Sequence, residues 1–142
     1  MSYFLKSTAL IFFVIFNLGY VFHDVIFGEW LHEMEKEIAR EEFIIPLIAL
    51  AFAIYAAILS HIYPIYRKAH ENKSGVFVAI KFGIIMGILF DALQGGLIEV
   101  ATFKIPVEVF FLDSSYHVFI EGVIGGLLAN FAYERWNTKI VE

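Results

Sequence analysis

Asp113, His117 and Glu121 stand four residues apart in the apolar stretch FLDSSYHVFIEGVIGGLL, residues 111–128. On a helix each step of four turns by only about 40°, so the three would share one stripe. A His and a Glu at this spacing offer two ligands on one face. Asp91 and Gln94, three apart in another apolar stretch, could complete the set from a facing helix. Imidazole and carboxylate ligands suit zinc, iron or manganese. With no cysteine in the chain, thiolate ligands and a cysteine nucleophile are excluded.

The elements that must position these groups are apolar and long. Of the 142 residues 60% are hydrophobic, 16 of them Phe, and mean hydropathy is +0.75. Soluble globular chains average about 45–50%. A membrane-spanning helix needs about 20 apolar residues, and four segments qualify, at about 7–28, 43–64, 76–102 and 114–134. The expected fold is therefore all-α: a four-helix transmembrane bundle in one domain. The first span holds charge-free STALIFFVIFNLGYVF and the second FIIPLIALAFAIYAAILS, with Pro46 in the first turn, where a helix tolerates it. The third and fourth are interrupted by ionisable groups and the first carries His23 and Asp24 near its end, whereas the second contributes none to the polar set, which predicts that it packs peripherally.

Lys6, Arg67, Lys68, Lys73, Lys81, Arg135 and Lys139 fall on one side of such a layout, and Lys36, Arg40 and Lys104 on the other. Cytoplasmic flanks collect Lys and Arg, so both termini are expected in the cytoplasm of a multi-pass plasma-membrane protein. In the first outer loop, EWLHEMEKEIAREE, the residues Trp30, Leu31, Met34 and Ile38 recur at helical spacing and predict a short amphipathic helix. The net charge of −5, with no basic run, argues against nucleic acid as a partner. The bilayer is the expected partner, with a homodimer or larger membrane complex compatible with so small a chain.

An ionisable side chain in hydrocarbon costs about 2.5–3.5 kcal/mol on insertion scales, so such groups face the interior of a bundle or water. Counting helical rise from the outer ends puts His23, Asp24, Glu99 and His117 at one depth, Gln94 and Glu121 a turn deeper, and Asn17 and Asp91 deeper again. Asn17, Tyr20 and Asp24 share a face of the first helix, from which His23 departs. The expected pocket is thus Asn17, Tyr20, Asp24, Asp91, Gln94 and Glu121. The expected metal ligands are His117, Glu121 and Asp91, with His23 and Glu99 as second choices; Asp113 is not among them, and on a purely structural reading it and His117 would lie among the headgroups. Glu29 and His32, in a loop rich in acids, read as a solvated face.

Gly83 and Gly87, and Gly122 and Gly126, are small-residue pairs of the kind that bring membrane helices close. With these glycines and their acidic neighbours, GIIMGILFDALQGGLIEVATFKIP followed by SYHVFIEGVIGGLLANFAY resembles the third and fourth spans of small bacterial and archaeal membrane-protein families of unknown function. The resemblance covers about residues 83–133. It implies a four-helix multi-pass membrane protein and supplies no reaction. Three functions stay open: a pocket binding a divalent transition metal, which would activate water or take an apolar substrate from lipid; a proton or cation transporter; and an accessory or assembly subunit whose polar network is structural. Nucleophilic-serine hydrolysis has no motif here, nor does phosphate binding by a Gly-rich loop.

Overall fold

Wherever the chain is described it is apolar and helix-forming, and it folds that way: the computed structural model describes residues 3–36, 44–90, 98, 101 and 105–137, and every element among them is helical. The fold is all-α. Helix α1 is Tyr3–Tyr20 and runs on without a break through a wider, π-type segment, Val21–Ile26. After a bend at Phe27, α2 is Gly28–Glu35. Helix α3 is Ile45–Lys68, α4 is Gly75–Gly87, α5 is Val107–Ser115 and α6 is Val123–Ala132. The π-type segment Tyr116–Gly122 joins α5 to α6, and a second, Tyr133–Asn137, follows α6, so residues 107–137 form one rod.

The expected boundaries shift at both ends. The first helix starts at Tyr3 rather than near Ser7, and the fourth at Val107 rather than Ser114, because Pro106 sits at the residue before the helix, where its missing N–H costs nothing. The amphipathic helix is present as Gly28–Glu35, with Leu31 buried and Trp30 and Met34 exposed; Ile38 lies outside the described residues. Tyr3–Ile26 and Ile45–Lys68, each 24 residues, are long and apolar enough to cross a membrane, with mean hydropathies of 1.9 and 2.2. The third expected span is described over Gly75–Phe90 only.

Neighbouring helices pack antiparallel, as paired contacts show. Ser7 meets Ser60 and Gly19 meets Phe52, which sets α1 against α3. Tyr63 meets Phe82 and Tyr55 meets Phe90, so α4 runs back along α3. Tyr3 meets Tyr133 at one end, and Phe22 stacks on Tyr116 at the other, 3.9 Å between ring centres, which lays the 107–137 rod along α1. The core between them is Ile11, Ile15, Ala56, Leu59, Tyr63, Ala79, Phe82, Met86 and Ala129. Helix α3 is therefore not peripheral as expected: Ala56, Leu59, Ser60 and Tyr63 are fully buried. Its lack of charge concealed a packing face made of Ala, Ser and Tyr.

The tightest seam lies between α4 and the rod. A Cβ at Gly83 would fall on the Gly122 carbonyl, one at Gly126 on the Ala79 carbonyl, and one at Gly87 only 2.8 Å from Val118 Cα. At the end away from Phe22, the buried Tyr63 hydroxyl donates to Asn130 Oδ1 at 2.6 Å, and Asn130 Nδ2 donates to Glu134 Oε1 at 3.1 Å. Tyr63→Phe would leave a buried acceptor short of its donor, a loss of about 1–3 kcal/mol. Thermal unfolding in mild detergent should show the variant melting lower; equal melting would mean that water replaces the hydroxyl.

A candidate metal centre at the meeting of two widened helices

The first helix and the 107–137 rod each carry a π-type segment at the same end, and these two segments face each other. Such wide turns are scarce and recur at functional sites. Val21–Ile26 contains His23, and Tyr116–Gly122 contains His117 and Glu121. The His23 and His117 rings lie 5.7 Å apart, and Tyr116, wedged on Phe22, packs edge-on to both. Gly87 admits the backbone of His117 and Val118 to within contact of α4, which fixes how deep the second histidine sits.

Asp113 completes the cluster from one turn before His117. Its Oδ1 stands 3.5 Å from His23 Nε2 and 3.6 Å from His117 Nε2. One ligand atom from each of the three residues falls within 4.8 Å of the others. Both nitrogen–oxygen separations exceed the 2.7–3.2 Å of a good N–H···O hydrogen bond. Around a tetrahedral ion with bonds of about 2.1 Å, neighbouring donors stand about 3.4 Å apart. The two measured separations are of that size.

Glu121 supplies the outer partner. Its Oε2 lies 2.7 Å from His117 Nδ1, and the side chain is buried. In the tautomer in which Nδ1 carries the proton and donates to Glu121, the Nε2 lone pair is directed at the Asp113 side. This is the carboxylate–histidine relay that orients metal-ligating imidazoles. Exposure falls inward through the set: the side chains of His23 and Asp113 are about a third exposed, at 36% and 33%, His117 is at 19% and Glu121 at 5%. Access is thus from one side.

The expected residues divide as follows. Asn17, Tyr20 and Asp24 are exposed, and Asn17 Nδ2 donates to its own helix at Phe13 O, 2.7 Å away. They do not enter the cluster. The interior face of the first helix is instead the line Ser7, Ile11, Ile15 and Gly19, which arrives four residues later at His23. His23, ranked second from sequence, is therefore a member. Glu121 touches His117 on the nitrogen away from Asp113, so it stands behind His117 rather than in the His23–Asp113–His117 group. Asp113, not among the expected ligands, is a member. Asp91, Gln94 and Glu99 lie outside the described residues. Glu29 and His32 are exposed, in keeping with a solvated face.

A signal for Asp113 and His23 was present in the sequence. Asp113 heads the i, i+4 stripe, and His23 ends the stripe of small and aliphatic residues on which the first helix packs. Comparison of the chain with protein-family models, with curated proteins and with solved structures finds no match.

Proposed function

We propose that this chain is an integral membrane protein of four spans that binds one divalent transition metal through His23, Asp113 and His117, with Glu121 orienting His117. The observation that carries the metal is the placement of one carboxylate oxygen at ligand spacing from two imidazole nitrogens, one of them held from behind by a buried carboxylate. Glu121 on Nδ1 turns the Nε2 lone pair toward another acceptor, and two acceptors so placed need a positive charge between them. Three protein ligands leave a further coordination position for water or a polar group of a substrate, the pattern of catalytic rather than structural sites. A metal there lowers the pKa of bound water toward neutrality.

The membrane reading rests on where the apolar side chains point. In the two candidate spans only 22% and 17% of the most apolar window is buried, so these are not the core helices of a soluble fold. Phe13, Val25, Ile65, Phe111 and Phe119 are each more than three-fifths exposed, and hydrocarbon is the solvent in which that costs nothing. The third span includes the Gly75–Phe90 helix, and the fourth is the rod. Lys6 lies over the Trp136 ring, 5.7 Å from its centre, at the end that also holds Arg135. Aromatic and cationic residues gather at the interface, cations chiefly on the cytoplasmic side, so both termini belong there and the cluster opens toward the outer leaflet.

A second reading has one observation in its favour. A doubly protonated His117 between Glu121 and Asp113 would also reconcile the acceptors, and the site would then serve protons or helix association. Elemental analysis of protein purified in mild detergent without chelator separates the two. About one equivalent of transition metal is expected in the wild type and in Asp24→Ala, and none in His23→Ala or His117→Ala. A metal-free wild type that takes up no added zinc, manganese or iron would overturn the metal reading.

A further inference from the structure

Behind Glu121, on the side away from Asp113, is a cavity of about 280 Å³ that opens between helices. Ala51, Phe52 and Tyr55 of α3 form one wall, Gly87 and Phe90 the other, and His117 with Glu121 close its inner end. We infer that it binds the head and first part of the chain of a long-chain alcohol, a single-chain amphiphile with an uncharged hydroxyl head that enters from the hydrocarbon. The inference takes the membrane placement from the proposal above and does not need the ion.

Size and shape set the first limit. Ligand pockets begin at about 300 Å³, so this one holds a slender group rather than a fused ring system or a two-chain lipid. Its walls are an aromatic slot, with the Tyr55 and Phe90 rings 5.6 Å apart and tilted. Phe52 is fixed behind them by Gly19 and by an edge-on contact with Phe16. The seam fixes the slot's inner end: Gly87 lies against the His117 and Val118 backbone, so α4 can come no closer to the rod there. Ala51 stands exposed at the mouth, on the flank of α3 where Ile48, Leu50 and Ile54 also face outward. Entry is sideways, from the acyl chains.

Polarity sets the second limit. A carboxylate has about four acceptor sites, and the His117 bond uses one of Glu121's. An alkane filling the slot would leave the others unpaired in a dry place, at a cost. A carboxylate or phosphate head would meet Glu121 as like charge in low dielectric. A hydroxyl head donates to Glu121 and brings no charge. Glu121 thereby serves both neighbours, holding His117 with one oxygen and taking the alcohol proton with its remaining capacity.

The test uses contact quenching by chain-brominated amphiphiles. Phe90→Trp is made in a chain whose two native tryptophans, Trp30 and Trp136, are replaced by Phe, and is reconstituted into phosphatidylcholine vesicles with chelator present throughout. Ile65→Trp in the same background, facing outward at the other end, reports quenching from the bilayer itself. Each is titrated with a brominated long-chain alcohol, the matching fatty acid at neutral pH and the matching alkane. At Phe90→Trp the alcohol is expected to quench saturably, at a mole fraction at least tenfold below that needed for the acid or alkane. The response at Ile65→Trp should be linear and indifferent to the head. Ala51→Phe, which fills the mouth, should abolish the saturable part, and Glu121→Leu should abolish the preference for the alcohol; Glu121→Gln, of unchanged shape, should relax rejection of the acid. An acid that quenches as well as the alcohol overturns the assignment of the head, and quenching indifferent to Ala51→Phe overturns the cavity. Because chelator is present, a protein found metal-free by elemental analysis leaves this outcome unaffected, and an empty cavity leaves the metal result standing.

Discussion

Gly83→Ala should lower the thermal stability of the protein sharply, while the same chemical change at Gly125 should leave it unchanged or raise it. Both glycines are in helix interiors, where replacing Gly with Ala gains up to about 1 kcal/mol by propensity alone. What differs is the obstacle. A Cβ at Gly83 falls on the Gly122 carbonyl and near Val123 Cα, atoms that move only if a helix moves. A Cβ at Gly125 meets the end of the Leu59 side chain at 2.8 Å, which can turn aside. Overpacking a core costs about 1–3 kcal/mol when side chains can yield; here they cannot, so a net loss above about 2 kcal/mol is expected at Gly83. Circular dichroism melts of the three proteins in one detergent decide it. Equal melting of the two variants would show that the seam is looser than the contacts require.

Removing Asp113 should cost the protein its metal, and changing Glu121 should cost part of it. Asp113→Ala deletes the one oxygen that, among the described residues, faces both imidazoles, and a titration with zinc should find no site of comparable affinity. Glu121→Gln leaves every ligand in place. It removes the charge behind His117 while keeping an oxygen to accept its Nδ1–H, and such outer partners are worth about 10–100-fold in metal affinity. Metal at a hundredfold above its dissociation constant stabilises the fold by about 2.7 kcal/mol, so the wild type should melt higher with zinc than with chelator. Asp113→Ala should lose that difference. Should Asp113→Ala bind zinc as the wild type does, the ligands are elsewhere, and the residues beyond Phe90 become the place to look.

That the described fold is all-α was legible in the sequence because long apolar runs admit few structures. The seam was legible for a related reason: glycines four apart on two helices have little use but close approach, and Gly83, Gly122 and Gly126 make that contact. The first helix misled. Asn17, Tyr20 and Asp24 were assigned to the interior because polar groups avoid hydrocarbon, yet all three are exposed, and Asn17 satisfies itself on the Phe13 carbonyl. Small residues marked the packed face more truly than polar ones. The departure of His23 from that face was read correctly; the error lay in the choice of interior face, since His23 continues the line of Ser7, Ile11, Ile15 and Gly19 at i, i+4 spacing. Likewise α3 looked dispensable because it lacks charge, although a wall of the cavity is built from its Ala51, Phe52 and Tyr55.

The widened turns can be restated in terms of chain length. A π-type turn is an α-helix that has taken in a residue it does not need for its hydrogen bonds. A single-residue deletion within Tyr116–Gly122, at Val118 for example, could therefore be absorbed with the rod still helical. It would not be silent, because one residue is worth about 100° of rotation. Asp113 and Tyr116 would swing away from His23 if the glycine seam kept its register, and the seam would be lost if they did not. The cluster and the seam are thus satisfied together only by a rod one residue longer than a regular helix would be, and a length change there is the kind of alteration by which a metal-binding and a purely structural version of this chain could arise from one another.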